Sequence, residues 1–280
     1  MEFQSQFGPW AIVTGATDGL GRAFAHELAR RGLNLILTSH NLEKVQKLAS
    51  EIESEHSVEA KSIEVDLSEP GAVDVLYVRC VDIDVGLVIS NATTAHFQSY
   101  LESGLEEVRR GIQLNVAAHA DLATYFGEAM LVKRKGQGGL LFMSSIVGLQ
   151  GAPYMSLFSA SKAFILNFAE ALRYENRNKG IHVTAVAPGP VNATKLKILP
   201  ESEELFRQYQ ISVVDPDTLA KGALNALIEN KAIYIPGRGM RLRYGFWRQY
   251  FRSRSANVAH WGNVVQRYTK TIFPMSFFKP

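Results

Sequence analysis

Trp10-Ala11-Ile12-Val13-Thr14-Gly15-Ala16-Thr17-Asp18-Gly19-Leu20-Gly21 is the stretch on which the fold turns. Residues 10–14 form a short apolar run of the kind that fills a buried strand. Gly15 to Gly21 read as a glycine-rich turn. Residues 20–31 then place Leu20, Phe24 and Leu28 at helical spacing and stop at Gly32. In a strand–turn–helix of this kind Gly15 permits the sharp turn, and Gly19 removes a Cβ from the path of an approaching phosphate. Gly21 lets helix and strand pack closely. The N-terminus of the helix offers N–H groups and the positive end of its dipole, which suits a nucleotide pyrophosphate.

The rest of the chain repeats the alternation. Further strands are expected at residues 33–39, 61–67, 85–92, 138–145, 181–189 and 231–236. Helices are expected at 41–54, 69–82, 102–114, 115–134, 154–179 and 215–229. In the helix over 41–54, Asn41 is placed as the cap, with Leu42, Val45, Leu48 and Ile52 facing inward. Strands rich in Val, Ile and Leu, alternating with helices, predict an α/β fold: a Rossmann-type doubly wound parallel sheet. Such a sheet binds ligand beyond the carboxyl ends of its strands. No repeat or Pro/Ser-rich linker interrupts it, so a single domain over 1–237 is expected, followed by an extension over 238–280.

The composition agrees. The 280 residues suffice to bury a large core without disulfides, and the single cysteine, Cys80, excludes an intrachain disulfide or a CxxC motif. A reducing, cytoplasmic setting is expected. The segment MEFQSQFGPW is neither basic nor apolar enough for a signal peptide, and no run of ~20 apolar residues predicts a membrane span. Charge is uneven. Thirty Lys/Arg against 27 Asp/Glu give +3 overall, yet residues 230–280 hold ten Lys/Arg and no acidic residue. The first 229 residues therefore carry −7.

The spacing T-G-x-x-x-G-x-G at Thr14–Gly21 resembles the short-chain dehydrogenase/reductase family. The resemblance continues through Asp66-Leu67, Ser90-Asn91-Ala92, Leu114-Asn115-Val116, Ser144-Ser145, Ser159-Ala160-Ser161-Lys162 and Pro188-Gly189-Pro190-Val191, spanning residue 10 to about 236 in the family's order. Within the family the chain is nearest in look to 3-ketoacyl reductases and 17-beta-hydroxysteroid dehydrogenases. The resemblance implies a nicotinamide cofactor held by Thr14, Gly15, Thr17, Asp18, Gly19, Leu20, Gly21, Ser39, His40, Asn41, Asp66, Leu67, Asn91, Ala92, Lys162, Pro188, Gly189, Val191 and Thr194. Asp66 would meet the adenine, and Asn91 would support the site. Thr93 stands where the family has a glycine. An acidic residue ending the second strand would repel a ribose 2′-phosphate; here Ser39 and His40 stand there instead, so NADP(H) is favoured over NAD(H). Relatives commonly assemble as dimers or tetramers.

The family's reaction moves a hydride between nicotinamide and a carbonyl or alcohol, and the protein supplies the proton. Asn115, Ser145 and Lys162 match three members of the family's Asn-Ser-Tyr-Lys set. The Tyr position, four residues before Lys162, holds Phe158. Residues i and i+4 share a helix face, so the placement is kept while the hydroxyl is gone. Four readings fit: a Tyr-to-Phe exchange made to trap a complex; a redox-neutral catalyst; a reductase whose proton comes from another group; and a cofactor-binding protein without catalysis. For the third, Tyr154 is the candidate, expected one turn earlier on the same helix face.

Other chemistry is not supported. The seven histidines show no HExxH or similar spacing, so no metal site is expected. Glu106-Glu107 and Glu203-Glu204 read as solvated faces, and no G-x-S-x-G elbow occurs. In residues 238–254, aromatics at helical spacing and arginines on another face fit a membrane surface, a lid or an oligomer contact. Nucleic-acid binding is not expected, because the body is acidic and no reader motif occurs. An apolar lid would suit a small apolar substrate (acyl, polyketide or steroid-like), with Ala152, Pro153, Tyr154, Met155 and residues 196–205 as pocket candidates.

Overall fold

A computed structural model describes residues 3–95, 97–192 and 213–237. The extension over 238–280, residues 196–205 and Thr194 lie outside the described residues.

Seven parallel strands form one sheet: β1 (Trp10–Thr14), β2 (Asn34–Ser39), β3 (Ala60–Glu64), β4 (Val85–Ser90), β5 (Gly138–Met143), β6 (Ile181–Val186) and β7 (Ile233–Tyr234). Their order is β3-β2-β1-β4-β5-β6-β7. The chain winds outward from β1 in one direction and from β4 in the other. The strand order thus reverses between β1 and β4, which makes the switch-point crevice where doubly wound sheets bind ligands.

Helices cover both faces. They are α1 (Phe3–Phe7), α2 (Gly19–Arg30), α3 (Leu42–Glu55), α4 (Ala72–Cys80), α5 (Leu105–Ile112), α6 (Ala118–Lys133), α7 (Ser156–Glu175) and α8 (Pro216–Ile228). Period-two alternation explains the two cores. Ala11, Val13, Leu35 and Leu37 point to the α2, α3 and α8 side, where Phe24, Leu28, Val45, Leu48, Leu224 and Leu227 are buried. Ile12 and Ile36 point to the opposite side, against Leu76, Leu122, Phe126, Met130, Ile165 and Ala169 of α4, α6 and α7.

Local signals explain the helix starts. The Asn41 side chain accepts from Lys44 N at 2.9 Å and caps α3. Asp215 accepts from Thr218 N at 2.9 Å and caps α8, whose first residue is Pro216.

Several expectations need correction. Val45, Leu48 and Ile52 are buried, but Leu42, first in α3, is 40% exposed. The strands expected at 61–67, 85–92, 138–145 and 181–189 end early, so their last residues are loops beyond the sheet. The helix expected at 154–179 begins only at Ser156, which takes Tyr154 off it. The two helices expected to meet near 114 are joined by a π-helical stretch, Gln113–Ala117, that carries Asn115. Finally, α1 was not anticipated. Five residues are too few to show a period, yet Phe7 is buried there and Gln6 donates to the Gly180 carbonyl at 2.9 Å.

Candidate active site

The loop after β1 is fastened to the end of β4. The Thr14 hydroxyl donates to the Ile89 carbonyl at 3.3 Å and accepts from the N–H groups of Asn91 and Ala92 at 2.9 and 3.0 Å. Asn91 Nδ2 donates to the carbonyls of Thr14 at 2.9 Å and Gly15 at 3.3 Å. Gly15 has φ 61, in the left-handed region, and a Cβ there would lie 3.0 Å from Ala92 Cα. A Cβ on Gly21 would lie 2.1 Å from the Gly15 carbonyl oxygen. Glycine at position 21 lets the loop pass this close to α2, and glycine at position 15 lets it turn against Ala92. The side chain of Asp18, the N-cap residue of α2, does not cap the helix, so the helix end presents backbone N–H groups. A narrow loop against an uncapped twelve-residue helix fits a pyrophosphate.

Around it stand the other cofactor candidates. Thr17 and Ser39 hydroxyls meet at 3.3 Å, and Ser39 accepts from Asn41 N at 3.2 Å. Ser39 is buried, while His40 is exposed. The Asn41 side-chain oxygen is committed to the α3 cap, so a ligand would meet the side-chain NH2 group. Asp66 and Leu67 lie in the loop after β3. Burial opposes ionisation of Asp66, but hydrogen bonds from Ser68 and the Arg110 guanidinium outweigh it and hold the carboxyl below its usual range. Pro188 accepts from Ile146 N at 3.0 Å, and Val191 bridges to Val214, which sets the loop of Gly189 over the ends of β5 and β6.

The catalytic candidates divide between two places. Asn115, Tyr154 and Phe158 line one solvent-open cleft, together with Thr94, Gln98, Tyr100, Leu157 and others. The lining mixes the rings of Tyr100, Tyr154 and Phe158 with polar groups, among which Gln98 Nε2 donates to Ser103 Oγ at 2.9 Å and to a Glu107 carboxylate oxygen at 3.3 Å. Among the described residues expected to line the pocket, Tyr154 does so, while Ala152 and Met155 are buried in a cluster with Tyr154 and Phe158. Tyr154 has φ 63 and sits in the turn before α7, so it reaches the cleft from a loop and not from the helix face. The side chain of Asn115 is committed: Thr93 Oγ1 and Thr94 N donate to it at 2.9 Å, and it donates to the Thr94 carbonyl at 2.8 Å. Thr93 thus joins the bonds that hold this loop.

Ser145 lies two residues past β5 and caps the short 3₁₀ turn Ile146–Leu149, accepting from Val147 N at 3.4 Å. Its own hydroxyl donates to the Pro188 carbonyl at 3.4 Å, a long contact that a better acceptor could displace. Phe158 and Lys162 share one face of α7, with the Lys162 Nζ 5.3 Å from the Phe158 ring centroid. Lys162 is only 1% exposed, and its Nζ donates to the Met143 carbonyl at 2.8 Å. Burial lowers its pKa to about 7.

One buried group escaped the sequence reading. His119, on α6, is 2% exposed and its Nδ1 lies 2.5 Å from Ser90 Oγ. Burial and then the Lys162 charge push its pKa down to about 3. It holds no spare proton at neutral pH and cannot serve as the acid that Phe158 lacks. Its spacing, one turn after Asn115, was the available signal.

The Lys162 shift has a measurable consequence. A lysine whose folded pKa is depressed is neutral in the folded protein between about pH 7 and its ordinary value of 10.5, while the unfolded chain still binds the proton. The penalty for burying the charge is full below pH 7 and is relieved as pH rises through it. Denaturation of the wild type should therefore show stability rising between about pH 6 and pH 9, relative to Lys162→Met, by on the order of 1 kcal/mol per pH unit over that window. Parallel pH profiles for the two proteins would contradict a lysine held neutral.

A glycine-rich loop leading into a helix at the switch point of a parallel sheet is the build of a dinucleotide-binding α/β protein. The sequence description of the short chain dehydrogenases fits residues 9–204, and the chain belongs to that family. It is 34% identical over 199 residues to mouse 17-beta-hydroxysteroid dehydrogenase type 3, covering 70% of this chain and 65% of that one. It is 39% identical over 190 residues to human inactive hydroxysteroid dehydrogenase-like protein 1, covering 65% and 56%. It is 32% identical over 261 residues to bovine very-long-chain 3-oxoacyl-CoA reductase, covering 85% and 82%. The chain thus spans less than two thirds of the length of the first two relatives. A short-chain dehydrogenase from Sphingobium yanoikuyae in complex with NADPH superposes with a TM-score of 0.73 at 25% identity, covering 88% of this chain and 98% of that one. Among the described residues no helix is long and apolar enough to cross a membrane.

Proposed function

We propose that this chain binds NADP(H) and an apolar carbonyl or alcohol compound of steroid or long-acyl type, and that it lacks the proton donor for fast reduction. The observation that carries this reading is the ring of Phe158, 5.3 Å from the Lys162 Nζ, at the position where the family resemblance calls for a phenol. A hydride from the nicotinamide would need a proton delivered to the carbonyl oxygen, and a phenyl ring has none to give. Ser145, whose hydroxyl makes only a long contact to Pro188, would still orient that oxygen, and Asn115 would hold the loop of Thr93 and Thr94. The cofactor part rests on the cradle of Thr14, Gly15 and Gly21 and on the NADPH-bound neighbour; the preference for the 2′-phosphate rests on Ser39 and His40 in place of a carboxylate. The substrate class rests on the rings of Tyr100, Tyr154 and Phe158 in the cleft lining and on the relatives' names. The human relative called inactive favours a binding role without turnover.

A second reading has its own support. Tyr154 lines the same cleft as Phe158 and carries the phenol that Phe158 lacks. On that reading the wild type reduces ketones and Tyr154→Phe stops it. Assembly as a dimer or tetramer, and a peripheral cytoplasmic membrane contact through 238–254, belong to the same proposal. NADPH oxidation with a ketone panel, run on the wild type and on Phe158→Tyr, tests the main reading: the wild type should be slow and the variant fast.

A further inference from the structure

On the α2–α3 side of the sheet, away from the cleft, His26 meets the adjacent pair Glu55 and His56, three side chains of metal-ligating type. His26 projects from α2, Glu55 ends α3, and His56 follows it. One candidate ligand atom from each lies within 4.8 Å of the others. His26 Nδ1 is 3.5 Å from the Glu55 carboxylate, and His56 Nε2 is 4.0 Å from the same oxygen. In a tetrahedral zinc site, bonds of about 2.0–2.2 Å set ligand atoms about 3.3–3.5 Å apart. Small side-chain rotations would close the set. The two imidazole rings stand edge to face, with centroids 5.8 Å apart.

Two further observations point to a cation. His56 Nε2 is shielded from solvent and makes no hydrogen bond, a costly state for a ring nitrogen that a metal ion would relieve. The other nitrogen of His26, Nε2, lies 3.3 Å from a Glu51 carboxylate oxygen, and Glu51 is in turn held by Arg22. Metal-bound histidines commonly give their second N–H to a carboxylate, and Glu51 stands at ion-pair distance where a small ring rotation would let it take that part. Nδ1 is the atom nearer Glu55. The Arg22 charge, often a bar to a nearby cation, is met by Glu51.

We propose that His26, Glu55 and His56 form a binding site for a first-row divalent cation of the zinc type. Two imidazoles and one carboxylate suit that class, and three protein ligands leave a fourth position for water. The ion would pin α2, which begins at the nucleotide loop, to the end of α3. Sequence spacing concealed the site, since its histidines lie on different elements.

Zinc titration of the untagged full chain tests it, with cobalt(II) as the spectroscopic stand-in. The wild type should bind one equivalent saturably and give the intense visible bands of four-coordinate cobalt. His26→Gln and His56→Gln should each weaken zinc at least ~10-fold and lose those bands, as removal of a ligand requires. The two histidines are largely buried and their loss could disturb packing. Glu55→Gln, at a carboxylate with 53% of its side chain exposed, therefore gives the same reading in a chain whose metal-free melting matches wild type. The proposal is overturned if the wild type shows no saturable site, or if Glu55→Gln and His56→Gln bind zinc as tightly as it does.

Discussion

Phe158→Tyr raises the rate of NADPH-dependent ketone reduction by roughly 10²–10⁴-fold, the usual contribution of a positioned general acid. The expectation follows from the geometry around α7. Phe158 lines the cleft, and Lys162 lies one turn on, its Nζ 5.3 Å from the ring. A phenol at that place would lie beside the Lys162 amine, whose depressed pKa suits it to exchange a proton near neutral pH. No relocation of backbone is needed, since Tyr differs from Phe by one oxygen. The steady-state rate with a bulky ketone is the measurement. An unchanged rate in Phe158→Tyr would show that the missing hydroxyl is not what limits reduction. Fast turnover in the wild type, lost in Tyr154→Phe, would transfer the acid role to Tyr154.

Gly21→Ala destabilises the protein and empties the cradle. The new Cβ would sit 2.1 Å from the Gly15 carbonyl oxygen and 2.9 Å from Ala16 Cα, well inside contact distance. Both neighbours are backbone, so relief requires moving the loop or the start of α2. Forcing an extra carbon into a packed site costs about 1–3 kcal/mol, and a cost of ~1.4 kcal/mol borne by the bound state alone is tenfold in affinity. Denaturant unfolding and an NADPH titration of the variant check the two halves. Wild-type affinity and stability in Gly21→Ala would mean that the loop has slack and does not set the binding geometry.

The parts of the molecule built from contiguous residues were readable in the sequence. The strand at Trp10–Thr14, the turn at Gly15 and the start of α2 share one short segment, and the turn can be closed only by glycine at Gly15 and Gly21. Asn41 declared its cap because capping is local. Features made by tertiary contact were not readable. Tyr154 sits at helical spacing from Phe158, yet the chain takes a left-handed turn there and α7 starts two residues later. Leu42 fits the apolar stripe of α3 but, as its first residue, remains 40% exposed. Asn115 looked like a residue of a regular helix; its π-helical setting depends on how α5 and α6 join. The pairings of His119 with Ser90 and of His26 with Glu55 and His56 join residues from separate elements, which no local period announces.

The proposed function requires a dinucleotide to lie over the ends of β1 and β4, beside the ring of Phe158. Calorimetric titration of the wild-type chain with NADPH and with NADH tests this most directly. One equivalent of NADPH bound per chain, more tightly than NADH, is the predicted result; no saturable binding of either nucleotide would contradict it.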